Sequence, residues 1–296
     1  MPAKPQKIHI LMADDSSEHA AAAVSLLCDL DLSPRSTIFV LRVFEIAQTH
    51  NVWAFEEALS QTHMKLTAAG HNVKSDLLLG QPAPKIVEIA DEQRADLIVM
   101  GSVGLRATLG ILLGGVAQQV VEHAEMPVLV VRKPYAGLKH VLFSTDGSEC
   151  SIEALRFIKQ FPFPEDVRFS VMTVLPPAMT SSGLVWSEMA DIPVPPLSPE
   201  VEANLERIAA KEQADAEALV ARTARSLKKL DASVDTLICR GDAATEIIEY
   251  ARKNAVDLIV VGSRGLGLIR SWLMGSVTRK LVHYAPCSVM VVKERG

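Results

Sequence analysis

The strongest constraint on this chain is that it repeats. Residues 96–105 read DLIVMGSVGL and residues 257–266 read DLIVVGSRGL, matching at eight of ten positions with an offset of 161. The same offset pairs Gly80 with Gly241 and the run 128–131 with 289–292. Near the start of each copy the offset is 131, where HILMADDSSE from His9 aligns with HVLFSTDGSE from His140. The second copy therefore carries about 30 additional residues, placed after Val174. A fixed internal period signals duplicated units, and 296 residues make about two domains of ordinary size. The expected units are 1–134 and 138–296, with an insertion at about 179–210 in the second.

Within each copy, short apolar runs alternate with longer amphipathic segments, the pattern of parallel βαβ units. Strands are expected at 8–12, 38–44, 74–79, 97–100 and 128–131, and again at 141–144, 169–175, 234–239, 258–261 and 288–292. These runs are near-continuously hydrophobic instead of alternating, as strands are when helices cover both faces of their sheet. The fold class that follows is α/β, with two tandem open parallel five-stranded sheets. Residues 179–199, rich in Pro, Ser and Gly, read as a loop; 200–230 reads as a charged, Ala-rich surface helix.

Composition then removes several functions. A net charge of −5 offers no basic field for nucleic acid or an anionic membrane. Only 5% of residues are aromatic, too few for a base-stacking platform. Cys28, Cys150, Cys239 and Cys287 are scattered without ligand spacing, so neither a zinc site nor a disulfide framework is indicated. No signal peptide or 18-residue apolar stretch is read, and the expected location is the cytoplasm.

The unusual residues cluster where strands end. In open parallel sheets, ligands bind beyond the carboxyl ends of the strands. After the first strand stand Ser144, Thr145, Asp146, Gly147 and Ser148, and their copy-one counterparts Ala13 to Ser17. Ser148 and Ser17 are expected to cap the following helices, which leaves Asp146 and Asp15 to meet a ribose or a metal on phosphates. After the fourth strand, Gly262 and Gly265 are followed nine residues later by Gly275 and Ser276; copy one has Gly101, Gly104, Gly114 and Gly115. Glycine allows close backbone approach, and a helix start with open N–H groups favours an anion. Both loops therefore read as phosphate cradles.

These residues resemble the universal stress protein family in its tandem form, over essentially the whole chain. Its nucleotide-binding subgroup carries G-x2-G-x9-G-[S/T], matched in full by Gly262, Gly265, Gly275 and Ser276. The resemblance implies an adenine nucleotide α-hydrolase-like, Rossmann-like fold and ATP, ADP or AMP as ligand, with Mg on the phosphates near Asp146. It implies that Asp146, beside Ser144 and Thr145, meets the ribose and phosphate region. It further implies that the Val174 backbone faces adenine, with Val261 and Val277 completing the pocket. Copy one keeps Asp15, Val43, Gly101, Gly104 and Gly114 but has Gly115 in place of Ser or Thr, losing a hydroxyl donor worth about 0.5–1.5 kcal/mol. Its nucleotide binding is expected to be weaker. The last strands, 128–131 and 288–292, are expected to pair within the chain as a pseudo-dimer, and two chains to associate as a homodimer.

The function implied is a stress-response regulatory or adaptor protein that binds ATP chiefly in its C-terminal domain, with an unidentified protein partner. The alternative is a nucleotide-independent scaffold of the same fold. An enzyme is not expected: no nucleophile–His–Asp arrangement is visible, and neither loop is a Walker GxxxxGK[ST]. A phosphoacceptor receiver would need an Asp at the end of the third strand, where Leu79-Gly80 and Cys239-Arg240-Gly241 stand. A hydrolase of the related adenine-nucleotide group would need an SGGxDS-like loop, which 144–148 does not supply. Arg264 and Arg270 read as solvated charge more readily than as phosphate ligands, and His9 and His140 as structural.

Overall fold

All ten apolar runs become strands, and all ten join one sheet. The computed structural model describes residues 7–104, 112–177, 198–228, 232–265 and 274–294. The first copy supplies β1 (His9–Ala13), β2 (Thr37–Phe44), β3 (Val73–Leu79), β4 (Leu97–Gly101) and β5 (Val128–Val131). The second supplies β6 (His140–Ser144), β7 (Arg168–Leu175), β8 (Val234–Arg240), β9 (Leu258–Gly262) and β10 (Ser288–Val292). Strand order is β3-β2-β1-β4-β5-β10-β9-β6-β7-β8. The two five-stranded sheets are thus continuous, closed on each other at one seam. There β5 and β10 pair antiparallel, Val130 opposite Val289 and Val128 opposite Val291. Every other pairing is parallel. The strands of the two copies therefore run in opposite directions, and their carboxyl ends lie at opposite edges of the sheet.

The helices are α1 (Glu18–Cys28), α2 (Val52–Ala68), α3 (Pro82–Glu92), α4 (Gly115–His123), α5 (Glu149–Ile158), α6 (Pro199–Leu227), α7 (Ala243–Lys253) and α8 (Ser276–Tyr284), with a 3-10 turn at Ile46–Asn51. Alternation along each strand divides them between two apolar layers. Ile10, Met12 and Phe143 pack with α1, α2, α5 and α6. Leu11, Leu142 and Ile259 pack with α3, α4, α7 and α8 on the other face. The insertion appears as added length in α6, 29 residues against 17 in α2. The loop read at 179–199 falls almost wholly outside the described residues. Among the described residues, no helix is long and apolar enough to cross a membrane.

The repeated Asp of the DLIV run has a structural cause. Asp96 donates its N–H to the His9 carbonyl at 2.7 Å, and its Oδ2 accepts the His9 N–H at 2.9 Å. Asp257 forms the same pair with His140, at 2.9 Å each way. A carboxylate thus stitches the start of the fourth strand to the start of the first in both copies.

His140 is structural, as expected. Its Nδ1 lies 2.9 Å from Arg168 Nη2 and 3.1 Å from the Asn254 carbonyl, while Nε2 meets Ser170 Oγ at 2.8 Å. Ser170 in turn contacts the Tyr250 hydroxyl at 2.9 Å. Burial lowers the His140 pKa, opposed by the Asn254 carbonyl and aided by the Arg168 charge. Burial also lowers His19 and His71. Unfolding restores ordinary imidazole basicity near pH 6.5, so below that pH the unfolded chain takes up more protons than the folded one. Stability is therefore expected to fall as pH drops from 7 to 5. Urea unfolding across that range checks this, and the slope should flatten in His140→Gln.

Candidate functional site

The carboxyl edge of copy one holds a cavity of about 430 Å³. Its walls include Asp15 after β1, Val43 on β2, Gly101 and Gly104 after β4, and Gly114 and Gly115 at the start of α4. All six copy-one residues singled out by sequence meet at this one place.

Local chemistry explains the loop after β1. Ser17 caps α1 by accepting the Ala20 N–H at 3.1 Å, and Ser148 caps α5 from Ser151 at 3.3 Å. Both serines do what their position predicts. One residue earlier the backbone turns left-handed, with φ of +61° at Ser16 and +80° at Gly147. Glycine adopts that conformation without cost; in copy one a serine is held there by its side chain. The carboxylates follow the turn: Asp15 Oδ1 accepts the Ser17 N–H and Asp146 Oδ1 the Ser148 N–H, each at 3.0 Å.

The motif glycines have different causes. A Cβ on Gly101 would lie 2.8 Å from the Ala20 backbone N, and one on Gly262 would lie 2.8 Å from the Cys150 backbone carbon. These first glycines let the fourth strand pass against the opening turn of the first helix, which is packing. The second glycines face the carboxylates that follow the first strands. A Cβ on Gly104 would meet Asp15 Oδ2 at 2.6 Å, and one on Gly265 would meet Asp146 Oδ2 at 2.5 Å. The bare Cα therefore lets the loop after the fourth strand touch the carboxylate of the first.

The third glycines set the helix starts. Gly114 donates to Ser102 O at 2.8 Å and Gly275 to Ser263 O at 2.9 Å, which turns the chain into α4 and α8. Neither helix has a side-chain cap. Intrahelical bonding begins with Gln118 to Gly114 and Arg279 to Gly275, so the amides of 115–117 and 276–278 point out of the helix. That is a ready anion seat. Ser276 is the exposed first residue of α8, and Val277 and Val174 are half-buried while Val261 is buried. At Gly115 a Cβ would meet nothing within 4 Å, so copy one lacks a hydroxyl where there is room for one. In copy two, residues 266–273, including Arg270 and Trp272, lie outside the described residues. Arg264 pairs with Glu294 at 3.5 Å on the half-exposed surface, in keeping with the solvated-charge reading.

Arg42 escaped the sequence analysis. It stands in the middle of the apolar run 37–44, only 5% exposed. Its guanidinium donates to Ser16 Oγ and, at 3.1 Å, to the Asp15 carbonyl. It also lies 4.6 Å over the Phe55 ring. Burial lowers its pKa, opposed by the charges of Asp14 and Asp15. Asp14 is itself fixed, accepting from Ser16 N and Thr62 Oγ1 at 2.8 Å each. The counterparts in copy two are Thr173 and Thr145, so the two pockets differ chemically. A lone arginine inside a buried strand was the available signal.

The model of the universal stress protein family matches residues 8–132 and again 137–293. A universal stress protein of Mycobacterium tuberculosis is 27% identical over 316 residues, taking in 98% of this chain and 99% of its own length. One from Methanocaldococcus jannaschii is 44% identical over 79 residues, which cover 27% of this chain and 46% of that relative. Among solved structures, a universal stress protein from Archaeoglobus fulgidus matches with a TM-score of 0.64 at 20% identity, over 98% of this chain and 97% of that one. That likeness shows the fold.

Proposed function

The chain belongs to the universal stress protein family, whose model matches it twice, and on that premise we propose that it binds an adenine nucleotide, ATP foremost. The observation that carries this reading is the pair of uncapped helix starts at Gly115 and Ser276. Each follows a glycine loop whose bare Cα touches the Asp15 or Asp146 carboxylate. Open amides receive phosphate, and a carboxylate beside them accepts ribose hydroxyls. A cavity of about 430 Å³ suits a nucleotide-sized ligand. Among the described residues no three His, Cys, Asp or Glu gather as a metal cage; Mg would come with the phosphates, keeping most of its waters. The C-terminal pocket, with the Ser276 hydroxyl, is the tighter one.

The role is regulatory rather than catalytic: bound nucleotide sets a surface that a protein partner reads. Ile46 and Trp53, 77% and 73% exposed, flank the copy-one pocket and support a partner surface beside its mouth. Isothermal titration with ATP, ADP and AMP tests the reading. Micromolar to sub-millimolar binding is expected, and silence at millimolar nucleotide overturns it in favour of a scaffold. Gly115→Ser adds a hydroxyl in open space and should tighten the copy-one site by about two- to tenfold. Phosphate release should stay very slow throughout.

A further inference from the structure

Each cradle helix runs from the carboxyl edge of its own copy's strands to the opposite edge of the sheet, which is the carboxyl edge of the other copy. The last turn of α8 ends under Arg132, the residue after β5. Arg132 Nη2 donates to the carbonyls of Val282 and His283 at 2.7 and 2.9 Å. Its Nη1 donates to the Leu112 carbonyl at 2.8 Å, two residues before the Gly114 cap of α4. Its backbone N–H is tied to Ser288 Oγ on β10 at 3.2 Å. One guanidinium thus joins the copy-one glycine loop to the negative end of the helix whose positive end forms the copy-two cradle. Among the described residues Nε is buried without a partner, and three carbonyls hold the fork. Lys293, at the same offset of 161, repeats half of this arrangement: its Nζ donates to Glu122 O in the last turn of α4 at 2.9 Å.

We propose that Arg132 couples the two pockets, so that filling one tightens the other; the proposal rests on the nucleotide reading of those pockets. An anion at the first turn of α8 satisfies its open amides, firms the helix and strengthens its carbonyl end. The fork bonded there is then held harder, and through Leu112 it steadies the loop that presents Gly114 and Gly115. A planar fork can serve both ends at once, whereas an ammonium is a point charge. Linkage makes the effect reciprocal.

The test uses the full chain and a built-in anion, Ser276→Asp, which fills the copy-two cradle without ligand. In the Arg132 background, it should slow amide exchange in residues 112–117. It should also tighten ATP at the copy-one pocket about fivefold, at the low end of ordinary coupling. In Arg132→Lys, which keeps the charge but not the fork, both responses should vanish; Arg132→Gln serves if the lysine chain melts early. Responses that ignore residue 132, or that are absent in the Arg132 chain, overturn the coupling. An Arg132-dependent exchange response without any ATP binding keeps the link and removes the nucleotide reading. ATP binding with exchange indifferent to residue 132 does the reverse.

Discussion

Gly101→Val and Gly262→Val are each expected to lower stability by about 3 kcal/mol or more, at the upper end of overpacking costs. Gly104→Ala and Gly265→Ala should barely change stability and yet weaken nucleotide binding by about 10- to 100-fold. The four positions belong to one motif, but their neighbours differ. Beside Gly101 and Gly262 the nearest atoms include the backbone of α1 and α5, and those helices cannot retreat without opening a close-packed layer. Beside Gly104 and Gly265 the nearest atom is a carboxylate oxygen, which swings aside on a rotamer change. What is lost there is one charge-assisted hydrogen bond to ligand, about 1.5–3 kcal/mol. Urea unfolding and titration calorimetry on the same variants separate the effects. Equal destabilisation by all four, with parallel loss of binding, would falsify the division.

Gly115→Asp and Ser276→Asp should together abolish ATP binding while leaving the fold more stable. A carboxylate in the first turn interacts favourably with the helix dipole, by about 0.3–1 kcal/mol per helix. The Gly115 change also removes a flexible residue from a helix, worth about 0.5–1 kcal/mol where the backbone is compatible. The same charge repels a triphosphate from the amides it would occupy, and a loss of at least about 100-fold per site is expected from like-charge repulsion in a partly desolvated pocket. Thermal midpoints that rise as binding disappears identify the cradles with the anion seats. Undiminished ATP affinity in the double variant would place the phosphates elsewhere.

Much of this was legible in the sequence because the relevant physics is local. The runs at 128–131 and 288–292 became β5 and β10 with those bounds. Ser17 and Ser148 are caps because a helix start wants an oxygen acceptor within three residues. The seam between β5 and β10 was also expected, from the resemblance. What stayed hidden depends on neighbours far along the chain. Sequence read Gly101 and Gly262 for the ligand together with Gly104 and Gly265; only the approach of α1 and α5 adds a packing cause for the first pair, of which Gly101 also lines the cavity. Asp96 and Asp257 stood in the sequence only as members of the repeat, and the fold shows them as stitches to β1 and β6. Arg42 and Arg132 were passed over because their partners, at positions 15–16 and 282–283, share no spacing with them. Pattern shows which elements form, and pairing across the sheet decides what each side chain is for.

The antiparallel seam has a geometric consequence for recognition. Since the copies run in opposite directions along a single sheet, their carboxyl edges look away from each other. No flat surface can cover both edges at once.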